Sequence, residues 1–278
     1  MEITLPIFQD LSISIGDSPR DAGLYATSRL QKGWVLHRGK NDLAEEAVGF
    51  GFPVLKRGLQ AFFPGAVQLD LVRQDPKPVI TAAYTLDLVE KIARPGRESV
   101  KNITLYRVKD SLAYVIRGFP PGRSLLTALS SGLRWMFGWE TTYEKTGLSA
   151  RLKITYTIDE QAGVLTMHAD LDEIDAATVS EVIIMNEQGA HAFDQYRDTS
   201  GIRLAGRKIG VWDEVHADEA SFASSTQRVA FSLPRVPGVR FFRGRERIAS
   251  RLAWAGFGYS FAPTVRRFGS RVRIETLP

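Results

Sequence analysis

The 278-residue chain contains no cysteine. Disulfides, thiolate metal sites and a cysteine nucleophile are therefore excluded. Histidine is scarce, with only His37, His168, His191 and His216. No run approaches the ~20 apolar residues that a membrane-spanning helix needs. The opening MEITLPIFQD has neither the basic nor the apolar region of a secretory leader. A phosphate-binding loop ending in Gly-Lys-Ser/Thr, a GxSxG nucleophile elbow and a His-Glu-x-x-His pair are all missing, and Gly49 and Gly51 do not complete a dinucleotide fingerprint. These absences argue against a nucleotide-dependent enzyme and a standard serine hydrolase. The expectations are a cytoplasmic protein with no membrane partner, no cofactor and no metal.

Charge is present but unevenly spread. The net charge is +5, yet Arg228–Pro278 holds eleven arginines, no lysine, and only Glu246 and Glu275 as acids. Asp159–Phe222 holds fourteen acids against Arg197, Arg203, Arg207 and Lys208. One reading is a basic surface for a polyanion. The other is that the two segments lie side by side and neutralise each other, with alternate arginines marking the wet face of strands. Nucleic acid is not an expected partner, and the sequence is silent on oligomeric state.

Alternating apolar and polar residues dominate what remains. In RLKITYTIDEQAGVLTMHADL, residues 151–171, two such runs flank a loop at 159–163. This is the pattern of an antiparallel hairpin with one buried face, and Gly163 sits where a positive φ is needed. Comparable runs recur at short intervals from Glu2 to Thr276, rich in β-branched and aromatic residues and punctuated by Gly, Pro, Asn and Asp. They include Val179–Met185, Ile202–Val211 and a hairpin over 102–117. No βαβ alternation is visible. The fold class is all-β: a large antiparallel β-sandwich of supersandwich type, with a double β-barrel or a lipocalin-like pair as the alternative. One short amphipathic helix is expected near 124–137, begun by Ser124 and ended by Gly138. The chain reads as a single domain over 1–278, with a sub-boundary at the Pro/Gly-rich stretch near 118–124.

Two polar segments that read as loops carry the candidate chemistry. Asn186–Asp198 contains Glu187, His191, Asp194, Tyr196 and Arg197; Trp212–Glu219 contains Trp212, Asp213, Glu214 and His216. As opposite walls of one cleft they would supply a carboxylate base (Glu187 or Glu214), a histidine acid (His191 or His216) and a ring surface for a sugar face. The alternative is two solvated connections. His168, mid-strand among polar neighbours, is expected to face solvent. In Ala253-Trp254-Ala255-Gly256-Phe257-Gly258-Tyr259-Ser260-Phe261 the rings alternate with small residues, and Val48–Pro53 has the same style. Such alternation lets a backbone or ligand approach one face, which adds Trp254 and Tyr259 to the ligand-binding candidates.

The hairpin LKITYTIDEQAGVLTMHADL and the following VSEVIIMNEQGAHAF resemble a stretch of the galactose-mutarotase-like β-supersandwich superfamily, over residues 151–194. There a similar hairpin precedes a strand that ends in an Asn-His motif. This chain has Asn186-Glu187 at that point, with the next histidine at His191. The resemblance implies a carbohydrate-related function without fixing a reaction. Three readings follow: a carbohydrate-active or carbohydrate-binding protein with epimerase- or hydrolase-like acid–base chemistry, a non-catalytic binder of a flat or apolar small ligand, and a polyanion binder using the C-terminal arginines.

Overall fold

The computed structural model describes residues 2–17, 31–44, 47–58, 60–95, 139–248 and 252–278. The expected helix near 124–137, the hairpin at 102–117 and the sub-boundary at 118–124 lie outside them. The chain divides into two compact units, Met1–Leu88 with Thr146–Pro278, and Val89–Lys145. The description below concerns the first.

Its strands form two antiparallel sheets. The smaller has the order β1 (Glu2–Phe8), β2 (Leu11–Gly16), β3 (Val35–Arg38) and β4 (Asn41–Asp42). The larger contains β5 (Gly49–Arg57), β6 (Gln60–Arg73), β7 (Val79–Pro95), β8 (Trp139–Asp159) and β9 (Val164–Asp170). It continues with β10 (Glu181–Gly189), β11 (Gln195–Asp198), β12 (Arg203–Ala205), β13 (Asp213–Glu214) and β14 (Glu219–Ser224). Last come β15 (Val229–Pro234), β16 (Arg240–Ile248), β17 (Leu252–Phe261) and β18 (Arg267–Thr276). The order is β12-β11-β14-β15-β18-β9-β8-β7-β6-β5-β10-β17-β16-β13.

This sheet folds back on itself. Phe231 of β15 and Phe50 of β5 belong to strands six steps apart, which a flat sheet would separate by about 29 Å. Their ring centroids are 5.2 Å apart. Phe222 of β14 likewise meets Phe257 of β17 at 4.9 Å. The two halves enclose one apolar core, as an all-β sandwich requires. No pairing between β12 and β13 closes a barrel among the described residues.

The 151–171 hairpin forms as its pattern implies, with Lys153 opposite Asp170 and Gly163 at φ +65. A Cβ there would lie 2.3 Å from the Ile274 carbonyl oxygen, so glycine is needed for space as well as for conformation. His168 is exposed on β9, as expected. Two expectations are corrected. Ile202–Val211 is not one strand: β12 ends at Ala205 and a 3-10 turn follows over Gly206–Ile209. Gly206 and Gly210 adopt φ of +56 and +86, which breaks the extended run. Asn186–Gly189 is not a loop either; it continues β10, with Asn186, Glu187 and Gln188 all buried.

Candidate functional site around Glu187

The outer face of β5, β10, β17 and β16 follows from register, because residues directly opposite one another share a face. On β17 the alternation separates two roles. Ala253, Ala255, Phe257, Tyr259 and Phe261 point into the core. Trp254, Gly256, Gly258 and Ser260 point the other way, opposite Gly189, Glu187, Met185 and Ile183 of β10. Across β17 they face Glu246, Gly244, Phe242 and Arg240 of β16. Glu187 therefore stands on a floor of glycines, with Gly49 opposite it on β5.

Trp212 lies over this floor. It follows the 3-10 turn and immediately precedes β13, with a left-handed φ of +59 that bulky side chains rarely adopt. Its indole stacks on Trp254, centroids 4.7 Å apart and planes inclined by 23°. A Cβ on Gly258 would come within 2.8 Å of Trp212 Cζ3, and one on Gly244 within 2.8 Å of the Trp212 backbone nitrogen. Trp212 also packs against the apolar group of Val48, Phe52, Val54 and Met185. It thus touches Trp254, opposite Gly189, and the group around Met185, opposite Gly258. The position between them belongs to Glu187.

The Glu187 side chain is 2% exposed, and its Oε1 has no hydrogen-bond partner. Burial pushes its carboxyl up to about 8; the Val48 amide donates to it and opposes the shift, while the charge of Glu246 adds to it. A carboxylic acid is thereby kept protonated at neutral pH beside a stacked pair of indoles. That combination suits a proton donor.

The other sequence candidates divide plainly. Trp212 and Trp254 join Glu187. Glu214 shares the outer face, opposite Phe242, but stands three strand steps away, about 14 Å. It is exposed and pairs with Arg240 at 3.9 Å. Asp213 pairs with Arg243 at 3.9 Å. His191 is exposed in the turn after β10, and His216 is exposed beyond β13, where its carbonyl accepts a hydrogen bond from Arg235. Of the first polar segment, Asn186–Gly189 is buried strand, Ala190–Asp194 a turn and Gln195–Asp198 the strand β11. Tyr259 sits in the core, donating to the Pro234 carbonyl and accepting from Ser270. Tyr196 is buried beneath Arg243 and donates to Asp198. Arg197 holds Ser221 and Glu275 and lines an open groove with Arg203 and Lys208. Asp194 carries a buried Oδ1 without a partner. No group of three or more His, Asp and Glu side chains among the described residues could hold a metal ion.

Glu246 was not among the candidates. It is the only acid of β16 and shares strand parity with Gly244 and Phe242, a signal readable from the sequence. Several of the C-terminal arginines bond within the fold, while Arg271 and Arg273 are exposed on β18. Arg245 donates to the Phe193 and Ala190 carbonyls, and Arg266 to those of Leu171 and Ile174. Arg267 stands opposite Asp170 on β9.

No protein-family model matches the chain, and no curated protein resembles it in sequence. Among solved structures it is similar to the α-N-acetylgalactosaminidase NagBb from Bifidobacterium bifidum in complex with GalNAc. The TM-score is 0.50 at 8% identity, over 99% of this chain and 36% of that one. The same enzyme with Gal-NHAc-DNJ gives a TM-score of 0.49 at 8% identity, with coverage of 99% and 36%. HI1317 gives 0.33 at 6% identity, over 99% and 100% of the two chains. The chain thus spans little more than a third of the galactosaminidase, and the likeness is one of fold. No helix among the described residues is long and apolar enough to cross a membrane.

Proposed function

We propose that the outer face of β5, β10, β17 and β16 binds a carbohydrate, with Trp254 as its aromatic wall and Glu187 as the proton donor. The observation that carries this reading is the buried Glu187 carboxyl, its Oε1 unsatisfied, on the sheet face that also holds two stacked indoles. A flat apolar face of a sugar ring suits an indole, and a general acid near neutral pH suits chemistry at an acetal or hemiacetal carbon. The structural similarity to a galactosaminidase and the mutarotase-like pattern of residues 151–194 support the same substrate class. Glu246 is the second carboxylate of the site and acts as the base or charge stabiliser.

The test is titration with N-acetylgalactosamine, galactose and glucose, followed by tryptophan fluorescence and calorimetry. At least one sugar binds, and Trp254→Ala abolishes that binding. Glu187→Gln keeps the neutral, isosteric shape and so retains binding, while glycoside cleavage or anomer interconversion is lost. Absence of any sugar response in the wild-type protein would sink the reading.

A further inference from the structure

Trp212 packs on the same sheet face as the buried Glu187. The indole lies where a ligand ring would stack on Trp254, above Gly258 and beside Gly244, and it reaches the Val48–Met185 group on the far side of the carboxyl. The Trp212 backbone is left-handed at φ +59, a conformation that a bulky residue keeps only when its surroundings hold it. The neighbouring chain is well anchored. Arg243 Nε donates to the Ile209 carbonyl, the Arg245 amide to that of Gly210, and the Val215 amide to that of Phe241. Motion is therefore confined to the Trp212 side chain rather than the whole segment.

We propose that Trp212 is a gate: in this state its indole occupies the ring slot on Trp254 and closes it over Glu187, and a ligand ring enters by displacing it. The inference rests on the carbohydrate reading for the identity of the ligand, but not for the existence of the slot. Gly258 and Gly244 make the room that Trp212 uses, since a Cβ at either would come within 2.8 Å of it.

Carbodiimide coupling of an amine to carboxyl groups, read by peptide mass spectrometry, tests the gate directly. In the wild-type protein Glu187 reacts at less than about a tenth of the rate of exposed Glu214, yet faster than global unfolding allows. Trp212→Gly removes the gate and suits the positive φ; it raises Glu187 modification at least about tenfold. Gly258→Ala keeps the indole but places a methyl group 2.8 Å from Cζ3, and it raises modification as well. Glu187 reacting like Glu214 in the wild type overturns the proposal. So does Glu187 staying inert in either variant that retains the native circular dichroism spectrum. If neither variant folds, the wild-type rate decides, and a rate equal to that of global unfolding overturns the gate. Sugar titration is a separate arm: labelling as expected with no sugar bound leaves the gate standing and removes the carbohydrate reading.

Discussion

Trp212 stacks on Trp254 with ring centroids 4.7 Å apart and planes 23° from parallel. Trp254 is 3% exposed and fills the space above Gly244, where a Cβ would come within 2.5 Å of its ring. Two indoles in such contact couple electronically, so the protein should show an exciton couplet near 230 nm. Trp254→Ala should abolish the couplet and cost about 3 kcal/mol or more in urea unfolding, the usual range for a large buried aromatic. A couplet that survives in this variant would show that another pair is responsible.

Glu187 makes stability depend on pH with a defined sign. Its carboxyl titrates near 4.5 when unfolded and at about 8 when folded. Between those values the native state holds a proton that the unfolded chain has released. Stability therefore falls as pH rises through this window, by up to about 1.4 kcal/mol per pH unit, and levels off above the folded value. Glu187→Gln should remove that component of the slope and raise stability at pH 8 by on the order of a few kcal/mol. Chemical denaturation of both proteins between pH 5 and 9 checks it. Parallel pH profiles would show that Glu187 is not the group responsible.

Much of this arrangement was legible locally, and the part that was not is long-range. The 151–171 hairpin needs only its own alternation and Gly163, and the ring-glycine alternation of β17 separates core from outer face without outside help. Asn186-Glu187-Gln188 misleads because local polarity suggests solvent. Its burial comes from partners far away in sequence: Gly51 donates to Asn186 Oδ1 at 3.0 Å, and Leu36 and Trp34 hold Gln188. The histidines at 191 and 216 invited pairing because they share a residue type and acidic company. Nothing in the sequence encodes which side of the sheet each occupies once β13 joins β16. Glu246 was readable through strand parity, but its company of arginines hid it.

Gln188 joins the smaller sheet to the larger one. It is fully buried; Leu36 donates to its Oε1 at 3.1 Å, and its Nε2 donates to the Trp34 carbonyl at 3.1 Å. Both groups belong to the chain leading into and along β3. Gln188→Leu keeps volume but leaves the buried Leu36 amide unpaired, at a cost of about 1–3 kcal/mol, while the Trp34 carbonyl keeps its bond from the Phe50 amide. The expected loss is about 1–3 kcal/mol, with hydrogen exchange at Leu36 accelerated by at least about tenfold. Unchanged protection at Leu36 would mean that the backbone bridge between Trp34 and Phe50 and apolar packing hold the two sheets without Gln188.

Arg243 does for the Trp212 segment what a lysine could not. Its guanidinium carbon lies 4.6 Å from the Tyr196 ring centroid, its Nε donates to the Ile209 carbonyl at 3.2 Å, and its Nη2 is 3.9 Å from Asp213. A planar fork reaches all three at once, whereas an ammonium is a point charge on a flexible stem and satisfies one or two. Ile209 and Asp213 bracket Trp212, so loosening them loosens the indole. Arg243→Lys should therefore cost about 1–2 kcal/mol, given cation–π and charged hydrogen-bond contributions of about that size. It should also weaken the tryptophan couplet while leaving the far-ultraviolet strand signal unchanged. Loss of stability with an intact couplet would confine Arg243 to the Tyr196 side of the sheet and separate it from the gate.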